Sequence, residues 1–413
     1  MTAYTPEWKV LIEGVEYQNI TLTNLTISSG RTNIYEQAVA GYCNLQLIKL
    51  DNTTTTLDIN DGLTVQIKDS TGAYVNIFGG FIAEYATEIT SVGTVGDAQT
   101  ISIIALGALA RLPRSLTEGV LSTDFDGNQI YTILEQVLFG QWNDVPAALT
   151  WAAYDPTETW ANALNTGLGE IDRPGDYELA NRSASTTDIY SLVAALATSG
   201  LGYIYEDASG RIGYADSTHR SQYLAANGYV DLSANTDALA RGLKTAVRGG
   251  DVRNSITITY KNGQQHSAED ATSIRTYGKL AQNISTSLEN GADATSQAQF
   301  YLTLRAYPQA IFDSVSFNLA NDLISNNDRD SLINVFMGMP VNITGLPINM
   351  GSNFQGFVEG WTWTAGVKSV TLKLNVSPIS FSLQAFRWNS VPVTEYWNTL
   401  SPTLTWLDAT IVA

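Results

Sequence analysis

The chain has 413 residues and a net charge of −18, enough length for two to four domains of roughly 100–200 residues each. The acidity excludes a protein that binds a specific nucleic-acid sequence, because such proteins neutralise phosphates with clusters of Lys and Arg. Only 15% of the residues are charged, and the Thr, Ser, Asn and Gln that replace them favour β-strands whose outer faces contact other protein.

Residues 1–112 are predicted to form a β domain. Trp8–Val15 predicts a strand that runs into a glycine turn, and Leu63–Ile67 alternates apolar and polar residues with the period of a half-buried strand. Similar runs continue to Leu106, with turn residues between them. Six or more short strands in this order indicate a barrel or a sandwich.

Residues 113–245 are predicted to form an α+β insertion. Apolar residues recur on one face of two helices, and each helix ends at a glycine. Two short apolar runs around a glycine-containing turn then predict a β-hairpin. The predicted elements are a helix from Asp126 to Gly140, a helix from Asp188 to Gly200, and a hairpin of 202–205 with 211–214.

Residues 246–385 return to a strand pattern, which is clearest in Ser255–Tyr260. A helix is predicted near 293–305 within this second β domain. The final segment, 386–413, contains tryptophans among few charges and is predicted to be a C-terminal docking arm that covers another surface. The predicted fold class is therefore mainly β, with two related tube-like β-barrel or sandwich domains, an α+β insertion and a Trp-rich arm.

Two segments of the β domains resemble each other, and we call this pair the strand repeat. Val65–Ile67 is followed by Gly80–Ile82, and Val341–Ile343 is followed by Gly356–Val358, with the same offset of 276 residues. Each copy continues into an alternating strand and has a nearby glutamate. Glu84 and Glu359 are therefore expected to have equal structural roles, with both facing a channel.

A second pair of segments, the tryptophan repeat, joins the insertion to the C-terminal arm. Trp142–Trp151 and Trp397–Trp406 share Trp, Asn, Leu, Thr and Trp at the same spacing. Because a tryptophan buries a large area, Trp142, Trp151, Trp397 and Trp406 are the predicted assembly contacts. If a chain carries two similar β domains, a ring of three chains presents six similar units.

The order of these segments resembles that of the phage tail hub family, also called baseplate hub, tail-tip hub or minor tail proteins. No single motif is diagnostic, and the resemblance is spread over most of the chain. The matching segments are Trp8–Val15, Ser29–Asn33, Asp61–Ile82, the helix 126–138 with Trp142, the hairpin Tyr203–Tyr214 with Asp216 and Ser217, and Trp397–Trp406.

The resemblance implies a homotrimeric structural protein at the virion tail tip. Such a hub joins the tail tube to the tip and surrounds a channel for DNA passage. Its implied partners are distal tail or tube proteins, the tape-measure protein, and tip or spike proteins. The family has no catalytic residues of its own, so the resemblance implies no enzyme activity. It also implies no cofactor and no sequence-specific binding of DNA.

The residues themselves show no catalytic or metal-binding motif. His219 and His266 have no second His or Cys at metal-ligand spacing, and both are predicted to lie at the surface or in turns. Two other functions fit parts of the sequence. The tryptophans suit a carbohydrate- or receptor-binding protein, and paired carboxylates suit a glycoside hydrolase. Neither of these functions predicts the strand repeat.

The cellular location is predicted from the N-terminus and the single cysteine. The first residues lack the basic region and apolar run of a signal peptide, and no apolar stretch approaches the ~20 residues of a membrane-spanning helix. Cys43 lies among apolar neighbours and is expected to be buried. We therefore expect synthesis in the host cytoplasm, without stable membrane insertion.

Overall fold

A computed structural model describes residues 4–50, 56–91, 98–141, 168–234, 244–247, 249–308, 310–350 and 353–379. Among these residues, no helix has the length and apolar character needed to span a membrane. In the described chain strands outnumber helices and contain more residues, as the composition predicts.

The first β region contains seven strands, and each buried strand alternates between core and surface residues, as in β5 and β7. A 3₁₀ helix, Ala108–Arg114, follows them. The strands are β1 (Trp8–Ile12), β2 (Val15–Glu16), β3 (Ile20–Gly30), β4 (Val39–Lys49), β5 (Gly62–Lys68), β6 (Tyr74–Ser91) and β7 (Ala98–Gly107).

The α+β insertion comes next and confirms both predicted helices and the predicted hairpin. The second helix begins after Asp188, whose side chain accepts a hydrogen bond from the Ser191 backbone N–H, and it ends before Gly200. Its elements are β8 (Leu116–Thr117), β9 (Asp124–Phe125), α1 (Asp126–Gln141), β10 (Leu168–Ile171), β11 (Glu178–Leu179), β12 (Thr187–Asp188), α2 (Ile189–Ser199), β13 (Tyr203–Glu206), β14 (Ile212–Ala215) and α3 (His219–Asn227).

The second β region contains six strands of the main sheet and an inserted layer. The layer is a three-stranded sheet, β18-β17-β19, packed on α5. Two 3₁₀ helices, Gly249–Asp251 and Ile348–Met350, also lie here. The elements are β15 (Val230–Ser233), β16 (Lys244–Val247), β17 (Ser255–Tyr260), β18 (Gln264–Glu269), α4 (Ala271–Tyr277), β19 (Ala281–Ser285), α5 (Gly291–Arg305), β20 (Ala310–Asn318), α6 (Asn326–Ile333), β21 (Pro340–Thr344), β22 (Asn353–Gly366) and β23 (Val370–Pro378).

Both β regions belong to one 13-stranded sheet. Its main path is β16-β20-β23-β22-β3-β4-β7-β6-β5-β1-β2, and β15 and β21 attach beside β22. The path has two ends, so the described strands do not close into the barrels allowed by the sequence. Two strands of the sheet, β15 and β16, begin before residue 246, where the sequence placed the start of the second β domain.

We call β1–β7 module 1, and β15, β16 and β20–β23 module 2. Both contain the same antiparallel series, β3-β4-β7-β6-β5 in module 1 and β16-β20-β23-β22-β21 in module 2. The outermost strand differs, because β1 is antiparallel to β5 whereas β15 is parallel to β21. The modules are thus similar rather than identical.

The Gly80–Ile82 and Gly356–Val358 segments of the strand repeat hold equivalent places in the structure, at their sequence offset of 276 residues. A Cβ atom added at Gly80 would meet the Phe78 ring at 2.8 Å, and one added at Gly356 would meet the Phe354 ring at 2.8 Å. Both central strands also contain a β-bulge at the equivalent place. The bulges lie between Ile82 and Glu84 in β6 and between Val358 and Gly360 in β22. A bulge that recurs in this way is a structural feature of the module.

The strand that precedes each central strand is shifted between the modules. Gly80 is paired with Leu63, and its equivalent Gly356 is paired with Val341. The sequence had instead aligned Val341 with Val65. Because side chains alternate with a period of two, a shift of two residues keeps the same face towards the core.

Candidate functional site: the junction of the modules and the open strand edges

The four tryptophans predicted for assembly, Trp142, Trp151, Trp397 and Trp406, lie outside the described residues. Their role as assembly contacts therefore stays a prediction.

The two glutamates predicted to face a channel have different environments. Glu84 is exposed on β6, whereas Glu359 is only 1% exposed. The expectation that Glu359 faces a channel is wrong, because its carboxylate is enclosed within the chain. The offset of 276 residues also aligns Glu359 with Ala83 at the bulge, and Glu84 with Gly360. The glutamates are therefore not equivalent.

Glu359 is the centre of a buried ion network that joins three parts of the chain. Arg31, which follows β3, donates from Nε to Glu359 Oε2 at 2.7 Å. Arg220, in α3, donates to both carboxylate oxygens, at 2.6 and 2.9 Å. Ser377 Oγ of β23 is hydrogen bonded to Oε1. Module 1, the insertion and module 2 thus meet at one carboxylate.

The network keeps Glu359 ionised. Burial opposes the charge, but Arg220 and Arg31 outweigh burial and hold the pKa of this carboxyl well below its usual range. Both guanidinium groups also face the ring of Tyr203, with Cζ at 5.1 Å from its centroid for Arg31 and 4.4 Å for Arg220. Removal of one member would leave an uncompensated buried charge.

A second buried carboxylate, Glu206, fixes the hairpin of the insertion to module 1. Its Oε1 accepts a hydrogen bond from Gly41 N–H, and its Oε2 accepts one from Leu109 N–H at 3.0 Å. Burial raises the pKa of Glu206 to about 7, although the two backbone hydrogen bonds oppose the rise. A Cβ added at Gly41 or Gly107 would meet this carboxylate at 2.2 or 2.0 Å. Glycine at these two positions leaves the space that the carboxylate occupies.

The modules are joined edge to edge by strand pairing. Gly360–Gly366 of β22 runs antiparallel to Asn24–Gly30 of β3, from the pair Gly360–Gly30 to the pair Gly366–Asn24. On its other side, the same part of β22 pairs with β23. Two tryptophans of this stretch are buried, with Trp361 4% and Trp363 0% exposed.

Several strand edges of the sheet are open in the described part of the chain, including those of β2 and β15. Two of them belong to the strands equivalent to β22 and β3. Residues 84–91 of β6 pair with β7 on one side only, although the equivalent residues of β22 pair on both sides. β16 pairs with β20 only. Exposed apolar side chains lie on both of these strands, namely Tyr85 and Ile89 on β6 and Val247 on β16.

Comparison with solved structures shows which proteins share this arrangement. The chain is similar to the 43 kDa tail protein of prophage MuSo2 from Shewanella oneidensis, with a TM-score of 0.58 and 12% identity over 91% of this chain and 99% of that protein. It is equally similar to a tail protein from Neisseria meningitidis MC58, with a TM-score of 0.58 and 11% identity over 92% and 98%. The chain has the fold of these two tail proteins. No protein-family model and no curated protein sequence matches it.

This tail-protein fold contains a buried polar cluster that the sequence did not reveal. His219 is buried at the start of α3, and its Nδ1 lies 2.6 Å from Asp172 Oδ2, so the predicted surface position of His219 is wrong. Asp216, which is also buried, accepts hydrogen bonds from the Thr218 and His219 backbone N–H groups. Its pKa is raised to about 7 by burial and by the charge of Asp172.

Glu170, Asp172 and His219 bring possible metal-ligand atoms within 4.8 Å of one another. The Asp172 hydrogen bond occupies Nδ1 of the imidazole. The other histidine, His266, is half-buried on β18 and stacks on Tyr260 with a centroid distance of 5.4 Å.

An open cleft of about 520 Å³ lies between module 1, the hairpin of the insertion and module 2. Aromatic side chains line it, including Tyr74, Tyr205, Phe336 and Trp361. Tyr205 and Trp361 are only 3% and 4% exposed, so of these four side chains Tyr74 and Phe336 offer most of the ring surface.

Proposed function

We propose that the chain is a structural protein of the phage tail, and specifically the hub that joins the tail tube to the tail tip. The fold shared with a prophage tail protein and with a second tail protein supports a role in the tail. The hub assignment depends on one observation, which is the pair of similar modules joined through β3 and β22. Because each chain supplies two ring positions, three chains supply six and can match a six-fold tube to a three-fold tip.

In this proposal, three chains surround a channel through which DNA passes. The net charge of −18 supports the passage of DNA without adhesion, because like charges repel. The partners would be tube proteins, the tape-measure protein, and tip or spike proteins. The chain would be made in the host cytoplasm, would lie at the virion tail tip, and would have a structural rather than a catalytic role.

The native mass of the purified protein tests this proposal. We expect three times the chain mass of 44.7 kDa, and we expect electron micrographs of the same sample to show rings with a central opening. A protein that stays monomeric at all concentrations, alone and when mixed with its tail tube, would overturn the proposal.

A further inference from the structure

We infer that the open half of β6 in one chain binds β16 of the next chain. The contact would repeat the internal pairing of β22 with β3 and would continue the sheet from copy to copy. This inference rests on the proposed assembly of identical chains and names the surface that forms it.

The equivalence of the strands supports the inference. The modules contain the series β3-β4-β7-β6-β5 and β16-β20-β23-β22-β21. In these series, β6 corresponds to β22, and β16 corresponds to β3. Within the chain, β22 of module 2 receives β3 of module 1. Their counterparts are β6 of module 1 and β16 of module 2. These two strands would pair with each other between neighbouring chains.

A comparison of β6 with β22 shows how pairing with a further strand lowers the exposure of side chains. Tyr85 of β6 is equivalent to Trp361 of β22, and it is 37% exposed whereas Trp361 is 4% exposed. All residues from 84 to 89 are exposed, whereas most residues from 360 to 365 are buried. The neighbouring strand is paired in the same way in both modules, β7 with β6 and β23 with β22. The missing partner strand is therefore a main difference between the two environments.

An open edge exposes unpaired backbone groups, and proteins cover such edges or guard them with charges. Glu84 and Glu88 are exposed on the β6 edge and would disfavour indiscriminate pairing. The partner is a second copy of this chain, because the strand that covers the equivalent edge comes from the same repeated module. A contact between different surfaces of identical chains closes into a ring when its rotation permits.

The residue pairs of the β6–β16 contact between chains can be derived from those of the β3–β22 pairing within the chain. Leu45 of β4 and Val315 of β20 hold equivalent positions, because they pair with equivalent residues of β7 and β23. Three residues earlier on these strands, Tyr42 is paired with Ser28 and Phe312 with Thr245.

A β-bulge lies between Lys244 and Thr245 in the β16–β20 pairing. The count along β20 makes Val247 equivalent to Gly30, and the count along β16 from the Lys244–Ser314 pair makes it equivalent to Ser29. Gly30 is paired with Gly360 and Ser29 with Trp361, whose equivalents in β6 are Glu84 and Tyr85. This places Val247 of one chain opposite Glu84 or the adjacent Tyr85 of the next.

Disulfide cross-linking of the full chain tests this register. The variant Glu84→Cys with Val247→Cys should form covalent oligomers of up to three chains on oxidation, as measured on a non-reducing gel. The matched control is Glu88→Cys with Val247→Cys. Position 88 is also exposed, but it lies four residues further along the strand, about 13 Å away. A disulfide requires Cα atoms within roughly 7 Å, so we expect at least ten-fold less cross-linking. The native Cys43 is buried and should not compete.

The outcomes separate this inference from the hub proposal. If the native mass is that of a trimer and the 84/247 variant does not cross-link, the edge contact is wrong and the hub proposal stands. Equal cross-linking of the 84/247 and 88/247 variants would also contradict the proposed register. A protein that is monomeric in the mass measurement overturns the hub proposal itself.

Discussion

Asp126 begins α1 with a carboxylate that is completely buried. Its Oδ1 accepts a hydrogen bond from the Tyr177 backbone N–H at 3.1 Å, and its Oδ2 accepts one from the Tyr214 hydroxyl. Burial raises the pKa of Asp126 to about 8, the Tyr214 hydrogen bond opposes the rise, and the nearby Asp216 adds to it. The folded protein therefore holds a proton here that an exposed aspartate loses near pH ~4.

This proton predicts a fall in stability with rising pH. Between a pH of about 4 and about 8, the unfolded chain has lost the proton and the folded chain keeps it. The free energy of unfolding should therefore decrease as the pH rises, by up to about 1.4 kcal/mol per pH unit for this one group, and level off above its folded pKa. The variant Asp126→Asn, which stays neutral, should show a smaller decrease in urea denaturation across this range.

The control for Asp126→Asn is Asp322→Asn, which changes an exposed aspartate and should leave the pH profile as it is. Glu206 and Asp216 also have raised pKa values and contribute a decrease of the same sign. The difference between wild type and Asp126→Asn therefore measures Asp126. Equal pH slopes for the two proteins would contradict the buried, protonated state of this side chain.

Single residues differ in how far their environment could be predicted from the sequence. Cys43 lies in an alternating apolar run, and it is buried as predicted. The partners of Glu359 are 139 and 328 residues away in the chain, and no local pattern marks such pairs. A polar residue whose partner is distant in the sequence is predicted to lie at a surface, because nothing nearby in the sequence indicates burial. This explains why the positions of Glu359 and His219 were predicted wrongly.

At the scale of elements, local signals were sufficient where apolar periodicity was strong. α1, α2, α5 and the β13–β14 hairpin lie where the sequence predicted them. α3, α4 and α6 were missed, because they are short and mostly polar. For α4 and α6 a local signal was available. Their capping residues could have shown them, since Asp270 accepts from Ser273 N–H and Ser325 Oγ accepts from Asp328 N–H.

The first glycine of the repeated segments Gly80–Ile82 and Gly356–Val358 gives a prediction for the two modules. A Cβ added at Gly80 would meet the Leu106 carbonyl oxygen at 2.3 Å, and one added at Gly356 would meet the Ser377 carbonyl oxygen at 2.1 Å. Because the neighbouring strand would have to move, Gly80→Ala and Gly356→Ala should each lower the free energy of unfolding by about 1–3 kcal/mol. Chemical denaturation would measure both losses.

Gly250→Ala is the control for this pair, because a Cβ there has no atom within 4 Å. Its effect should stay within about 0.5 kcal/mol. A loss for only one of the two repeat glycines would show that the modules are not equivalently packed at this strand.

At the scale of the whole molecule, the strand repeat indicated two similar modules but not how they are joined. The β3–β22 pairing connects residues more than 300 positions apart, and it is specified by the fit of two edges rather than by any local pattern. The result is one continuous sheet across both modules. The Arg31–Glu359–Arg220 network then connects this sheet to the insertion.

A continuous sheet and a shared ion network predict that the described modules unfold together. Glu359→Ala leaves Arg31 and Arg220 buried without their carboxylate, so it should lower the free energy of unfolding by about 3–5 kcal/mol in one transition. Glu7→Ala removes an exposed ion pair with Lys68, 2.8 Å long, and should change the free energy of unfolding much less, because solvent screens such a pair. Circular dichroism and tryptophan fluorescence, followed in the same denaturation experiment, should give coincident curves for both variants. Two separate transitions, of which Glu359→Ala shifts only one, would show instead that the modules are independent folding units.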